Sequence, residues 1–353
     1  VIVIGIDPHK STHTATAVDP GTNTDLGSIR IRSTIEDYQR LLDWAQQWPQ
    51  RQWAVENAAG LGHHLTQWLL ASSESVVDIP PTATARVREL SRGGRRKNDR
   101  IDAAAAACVA FMQGDFRPVA PEDHTDVLRL IDERRRDLVV QNGRLVNQLH
   151  AVLRELLPGG IETKFDTEDA ALELRRFQPA TDADAMRKTL ALEVVGDLRR
   201  LRFQIDDLAE RIEAVLESCE STLTDIHGVG PIMAGRILAR TGNPFRFSGE
   251  SAFAMYTGTA PIEISSADKN RHRLSRSGDR QLNAAIHVIA VAQARRPGNI
   301  GYVYYQRKLS EGKTAREAQR CLKRQIARLL WRTMCADHDR YIGRQSLEEV
   351  PVA

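Results

Sequence analysis

The first eighty residues alternate between apolar and polar positions with two different periods. Val1 to Asp7 and Thr12 to Val18 are short apolar runs separated by a His9-Lys10-Ser11 turn, and Ser28 to Arg32 follows the turn Asp19-Pro20-Gly21. Such runs bounded by turn residues predict strands. The spacing then changes to three and four over Ile35 to Trp48, which predicts an amphipathic helix. A strand Gln52 to Glu56 ending in an acid, a helix Gly60 to Ala71, a strand Ser75 to Ile79 closed by Pro80-Pro81, and a helix Thr82 to Leu90 complete the segment. The order is βββαβαβα, which predicts a mixed α/β sheet.

A three-strand opening followed by alternating helices and strands points to a sheet of the ribonuclease H kind, so the first domain is placed at residues 1–120. From about Thr125 to Cys219 the pattern is helical, with apolar positions spaced by three and four over Leu128 to Leu157 and Leu190 to Leu216. Two long helices paired as a hairpin are expected, with enough heptads for a coiled-coil connection over residues 121–218 and for self-association. Pro158-Gly159-Gly160 and the acidic stretch Glu162 to Asp169 fall between them. Residues 219–345 read as a mainly helical third domain broken by turn-rich segments. The expected class is α/β plus all-α.

Composition narrows the partners. Hydrophobic residues make up 42% and charged residues 27% of the 353, and no apolar run reaches the roughly 20 residues a membrane span requires. The opening VIVIGI lacks a basic leader and reads as a strand, so a cytoplasmic protein without a membrane partner is expected. Cys108, Cys219, Cys321 and Cys335 have no paired short spacing, which argues against a disulfide framework or a structural zinc site. The net charge of +3 hides an asymmetry: from Cys219 onward there are 21 Lys and Arg against 12 Asp and Glu. The basic end either faces a polyanion or serves solubility.

Four carboxylates stand where a sheet-based nuclease places them: Asp7 and Glu56 at strand ends, and Asp99 with Asp102. A spacing of three puts the last two on one face of a helix continuing through Ala103 to Ala107. Converging carboxylates from different elements hold Mg²⁺ or Mn²⁺ against a phosphodiester. Each acid alone has an ordinary reading, Asp99 as a helix cap and the others as solvated strand ends. Beside them Arg92, Arg95, Arg96 and Lys97, with Arg86, Arg88 and Arg100 around Gly93-Gly94, form a basic cluster suited to a phosphate backbone or to solvent.

Two further segments carry candidate chemistry. In Leu223 to Pro231, Gly228 and Gly230 permit a tight turn with exposed backbone N–H groups ahead of the helix Ile232 to Ala239, as in a helix-hairpin-helix that grips phosphate. A plain helix-turn-helix packing unit reads the same way. Further on, Ser265-Ser266 leads into Lys269, Arg271, His272, Arg273, Arg276 and Arg280. Arginines around a serine can stabilise a phosphoryl transition state, and His272 is an available proton carrier. Paired serines in a loop are also ordinary turn residues.

These segments together resemble the insertion sequence one-ten family of DEDD transposases over nearly the whole chain. The matching motifs are Gly5-Ile6-Asp7, Val55-Glu56-Asn57, Asn98-Asp99-Arg100-Ile101-Asp102-Ala103, Ile226-His227-Gly228-Val229-Gly230-Pro231, Gly258-Thr259-Ala260-Pro261 with Ser265-Ser266, and Ser277-Gly278-Asp279. The resemblance implies a RuvC-like first domain with Asp7, Glu56, Asp99 and Asp102 as the metal-binding tetrad, and a C-terminal transposase domain with Ser266 as the nucleophile. Ser266 sits five residues after Pro261, with Ser265 adjacent, and Ala267 stands where the family commonly has glycine. The implied partners are element-end and target DNA, a guide RNA encoded by the element, and further copies of the chain as a dimer or tetramer. A metal-only junction nuclease, in which the serine is dispensable, is the competing expectation, and a non-catalytic nucleic-acid-binding protein is a third.

Overall fold

The computed structural model describes residues 1–90, 98–113, 118–162, 166–266, 269–274 and 278–348, with 88–90, 113, 262–266, 269–274 and 344–348 described through their backbone. Arg92, Arg95, Arg96, Lys97 and Arg276 lie outside the described residues. The chain forms two compact units, Val1–Glu122 and Asp123–Ala353.

The first unit runs β1 (Ile2–Pro8), β2 (Thr12–Asp19), β3 (Thr24–Arg32), α1 (Ile35–Ala45), β4 (Arg51–Glu56), α2 (His63–Ala71), β5 (Val76–Ile79), α3 (Pro81–Leu90) and α4 (Asp99–Gln113). The five strands form one mixed sheet in the order β3-β2-β1-β4-β5. β2 is antiparallel to both its neighbours, whereas β1, β4 and β5 are mutually parallel. β3 starts at Thr24, four residues before the strand expected at Ser28, because a bulge absorbs Leu26: Ala17 pairs with Gly27 and Val18 with Asp25.

Alternation decides what each face of the sheet carries. Ile4, Ile6, Ala15, Ile31, Trp53 and Val55 pack against Tyr38, Leu41 and Ala45 of α1 and Leu65 and Leu69 of α2. Val3, Val18, Ala54, Val77 and Ile79 point the other way and pack against Ala106, Ala107, Val109 and Ala110 of α4. Burial on both faces explains why the central strand β1 is apolar almost throughout.

The second unit holds α5 (His124–Leu156), α6 (Thr167–Arg176), α7 (Asp182–Ser218), a 3-10 turn at Thr222–Asp225, α8 (Pro231–Thr241), a second 3-10 turn at Pro244–Arg246, α9 (Glu250–Tyr256), β6 (Pro261–Ser266), β7 (Lys269–Leu274), α10 (Arg280–Arg295), α11 (Ile300–Ser310) and α12 (Ala315–Glu348). A capping box starts α5, with Asp123 accepting from Thr125 N–H and Asp126 accepting from Asp123 N–H. α5 and α7 pack antiparallel: Leu138 meets Leu201 and Ile205, while Leu149 and Leu153 meet Val194, Val195 and Leu198. Their other ends join the core of the C-terminal helices, where Leu128, Ile212 and Leu216 pack with Ile237, Phe253, Ile286, Ile289 and Ile326. Asp132 of α5 is buried in an ion pair with Arg236 of α8 at 2.8 Å.

Ser265 and Ser266 close a β-strand where a loop was expected. Pro261–Ser266 pairs antiparallel with Lys269–Leu274, with Ser265 opposite Asn270 and Ser266 opposite Lys269. The alternation Ile262-Glu263-Ile264, with β-branched residues at every second position, is the local reason.

Candidate active site

The site of the first unit depends on the approach of α4 to β1. Gly5 faces α4, and a Cβ at this position would stand 1.9 Å from the carbonyl oxygen of Ala103 and 2.6 Å from the amide nitrogen of Ala107. Only a residue without a side chain lets a helix of alanines run this close to the strand. Asn98 caps the helix, its Oδ1 accepting from Arg100 N–H at 3.0 Å and its carbonyl from Asp102 N–H at 3.0 Å. Capping by Asn98 leaves Asp99 as the first helical residue instead of the cap. Thr16 Oγ1 of β2 donates to the Arg100 carbonyl at 3.2 Å and ties the first turn to the sheet.

Asp7 faces the same side as Gly5, two residues further along β1, and is buried. α4 brings Asp99 beside it, and His9 stands between them. His9 Nδ1 lies 3.6 Å from Asp7 Oδ1, and Nε2 lies 3.7 Å from Asp99 Oδ1. Arg30 Nη1 of β3 approaches the other Asp99 oxygen at 3.7 Å. One ligand atom from each of Asp7, His9 and Asp99 can be chosen so that all lie within 4.8 Å of one another. Two carboxylates and an imidazole are a donor set that suits a divalent cation.

Asp102, also buried, lies one turn along α4 from Asp99. Glu56 is half-buried at the end of β4, on the sheet face of Ala54, and β4 runs parallel to β1. After Glu56 the chain turns sharply. Asn57 adopts φ 51°, Ala58 N–H donates to Asp78 Oδ1 at 2.7 Å, and Gly60 N–H donates to the Asn57 carbonyl at 2.8 Å. The structure thus brings Asp7 and Asp99 together with His9 and holds Glu56 and Asp102 on the elements beside them.

His9 and Arg30 were missed in the sequence. Asp7-Pro8-His9 is an i, i+2 pair across a strand end, a spacing that puts both residues on one side and could have marked the histidine. Arg100, read as part of the basic cluster, instead pairs with Asp25 at 2.7 Å; that bond holds the Asp25 carboxyl below its usual range.

In the second unit, Gly228 adopts φ 90°, and its Cα faces α10, where a Cβ would meet that of Ala292 at 3.3 Å. Gln293 of α10 holds the turn by donating to the His227 carbonyl at 2.8 Å. Gly230 is the N-cap of α8 without a side-chain cap, and Pro231 begins the helix. What enters this turn is the 3-10 turn Thr222–Asp225. Lys269, Arg271 and Arg273 lie along β7.

The base of the β6–β7 ribbon is fixed at both ends. Asp279 N–H donates to the Tyr256 carbonyl at 2.7 Å, and a Cβ on Gly278 would stand 2.6 Å from that same oxygen. Asn283 donates to the carbonyls of Thr257 at 2.8 Å and Gly258 at 3.1 Å, and accepts at 2.7 Å from the buried ammonium of Lys323. Burial lowers the Lys323 pKa. Asp279 caps α10 and pairs with Arg240, which raises the arginine's pKa.

A mixed sheet that delivers carboxylates to one end, beside a capped helix, defines an α/β domain with an acidic candidate site. Residues 4–158 match a transposase family model named for its DEDD residues and IS110, and residues 220–306 match the transposase IS116/IS110/IS902 family. The two matches together take in well over half of the chain, which belongs to the IS116/IS110/IS902 family of transposases and is an enzyme acting on DNA. The 44.8 kDa protein of insertion element IS116 from Streptomyces clavuligerus is 26% identical over 94% of both chains. The 42 kDa protein of IS900 from Mycobacterium paratuberculosis is 26% identical over 82% of this chain and 84% of that one. A putative transposase of Sinorhizobium fredii is 28% identical over 78% and 71%. Among solved structures, T. thermophilus RuvC in complex with a Holliday junction substrate is 15% identical and covers 34% of this chain and 99% of that one, with a TM-score of 0.27. Among the described residues no helix is long and apolar enough to cross a membrane.

Proposed function

We propose that this chain is the DNA recombinase of an insertion sequence, cleaving and exchanging strands between element and target DNA through a covalent phosphoserine at Ser266. The observation that carries the reading is the meeting of Asp7 and Asp99 at the end of the sheet, made possible by the side-chain-free contact at Gly5. Asp7, Glu56, Asp99 and Asp102 would hold Mg²⁺ or Mn²⁺. The bound cation would neutralise charge on the phosphodiester.

The protein's own groups do the rest. The Ser266 hydroxyl attacks phosphorus, its O–P bond forming as the bond to the departing strand breaks, and the departing oxygen takes up a proton to balance the one serine gives up. A hydroxyl of the incoming strand then attacks the phosphoserine, and Ser266 leaves as the hydroxyl. The ribbon register favours Ser266 over Ser265. Position 266 shares a face with positions 269, 271 and 273, the three basic residues of β7, whereas position 265 shares one with Glu263 and His272. Lys269, Arg271, Arg273 and Arg276 would stabilise transferring phosphate. Arg92, Arg95, Arg96 and Lys97, with the amides of the Gly228–Gly230 turn acting as a helix-hairpin-helix, would hold the backbone. The resemblance supports a guide RNA and a dimer or tetramer.

The test is covalent capture. Wild type, Ser265→Ala and Ser266→Ala are incubated with labelled element-end DNA, target DNA, cognate RNA and Mg²⁺ and run on a denaturing gel. An adduct lost only in Ser266→Ala is expected. Cut strands without an adduct in wild type would move the reading to a metal-only junction nuclease.

A further inference from the structure

We infer that His9 is a metal ligand, the third beside Asp7 and Asp99, and that its nitrogen biases this site toward Mn²⁺ over Mg²⁺. The inference rests on the reading of the acids as a cation site. It assigns that site a residue outside the four carboxylates.

Local geometry places the histidine. β1 ends at Pro8, which pairs with His13, and His9 N–H closes the turn by donating to the Thr12 carbonyl at 2.8 Å. The side chain leaves on the side of Asp7, two residues earlier. It is not there to fill a core, since it is 45% exposed. His13, four residues on, is a histidine of the other kind: it is 2% exposed and its Nε2 bonds to the Tyr38 hydroxyl at 3.2 Å.

The contacts of His9 are those of a ring poised between two carboxylates. Its 3.6 and 3.7 Å separations from Asp7 and Asp99 are ion-pair distances, longer than hydrogen bonds, and set one ring nitrogen toward each acid. Two ligands on opposite sides of one ion with bonds of about 2.1 Å are about 4.2 Å apart. At most one pair of the three donors can be opposite, and neighbouring ligands lie about 3 Å apart, so the donor atoms within 4.8 Å would draw together by up to about 1–2 Å to close on a shared cation. Magnesium prefers oxygen donors and retains water, whereas imidazole favours metals further along the first transition row. One nitrogen among carboxylates therefore adds more to Mn²⁺ binding than to Mg²⁺ binding.

The experiment is Mn²⁺ binding to the full chain, followed by pulsed electron paramagnetic resonance and by competition with Mg²⁺, in wild type, His9→Ala and Asp7→Asn. Wild type is expected to show coupling of the bound manganese to a nitrogen. His9→Ala should lose that coupling and bind Mn²⁺ at least about 10-fold more weakly, with a smaller loss for Mg²⁺. An exposed turn residue can be replaced without unfolding the unit, which an unchanged melting temperature would verify. If Asp7→Asn loses Mn²⁺ while His9→Ala keeps both the affinity and the spectrum, the inference is overturned and the carboxylate site stands. If all three proteins bind alike, both fall.

Discussion

Gly5→Ala should damage the first unit and its site together. The new Cβ would lie 1.9 Å from the Ala103 carbonyl oxygen and 2.6 Å from the Ala107 amide nitrogen, both backbone atoms of α4. Neither can rotate away. Relief requires α4 to retreat by about 1 Å, or β1 to bend, at the roughly 1–3 kcal/mol that overpacking costs. In a unit this size that is a fall of about 5–15 °C in melting temperature. The same retreat carries Asp99 and Asp102 away from Asp7, and a 1 Å misplacement at a reacting centre costs about 100-fold in rate. The assays are thermal unfolding, Mn²⁺ titration and strand cleavage. A Gly5→Ala protein with wild-type stability and wild-type metal affinity would refute the claim that this contact assembles the site. A stable variant with impaired metal binding would show that the sheet yielded and the acids did not follow.

Three other outcomes follow from particular contacts. His13 has its pKa lowered from 6.5 to about 4, mainly by burial and then by His9 and His64, so the folded state resists a proton that the unfolded chain accepts. Stability should be full above about pH 6.5 and fall by up to about 3 kcal/mol as the pH drops to 4, a limb that His13→Gln flattens in urea titrations. Asn283→Ala removes both bonds to the Thr257 and Gly258 carbonyls and strands the Lys323 ammonium, costing about 2–4 kcal/mol. Asn283→Ala with Lys323→Met should be more stable than Asn283→Ala alone, and an additive double-mutant cycle would contradict this. DNA binding by the whole chain should weaken linearly in log–log salt plots, with a slope of several units if the basic C-terminal part contacts phosphates; a flat response would remove that role.

The sheet was legible because its signals are local. Short apolar runs at β1 and β2, period 3.6 over α1, and turn residues between them are written in consecutive positions, and the observed element order follows them. The long helices α5 and α7 were legible for the same reason. The β6–β7 ribbon was not, because the alternation Ile262-Glu263-Ile264 spans only three residues and β7 is mostly basic and polar, and the pairing Ile264 with Arg271 joins positions that no short window compares. Similarly, the α6 helix emerged within an acidic stretch assigned to a connection; Asp166 and Asp169 form a capping box there, and Ala170, Ala171 and Leu174 supply only one short buried stripe.

The candidate site divides along the same line. Asp7, Glu56, Asp99 and Asp102 could be singled out from their places at strand ends and in the first turn of a helix, but the meeting of Asp7 with Asp99 depends on packing. The alanines of α4 looked like simple helix formers, yet their small size serves the approach to Gly5 as much as helix propensity does. Glycine on the strand and alanines on the helix are two halves of one contact, separated by about a hundred residues of sequence. Beside that contact, Asn98 caps the helix, Thr16 ties its first turn to the sheet, and Asp99 as first helical residue meets Asp7 and His9. It follows that the most sensitive positions of this site include residues with no chemistry of their own. A substitution at Gly5 or Ala103 should act on metal binding as a carboxylate substitution does, but with a loss of stability that substitution of the half-buried Asp99 need not bring.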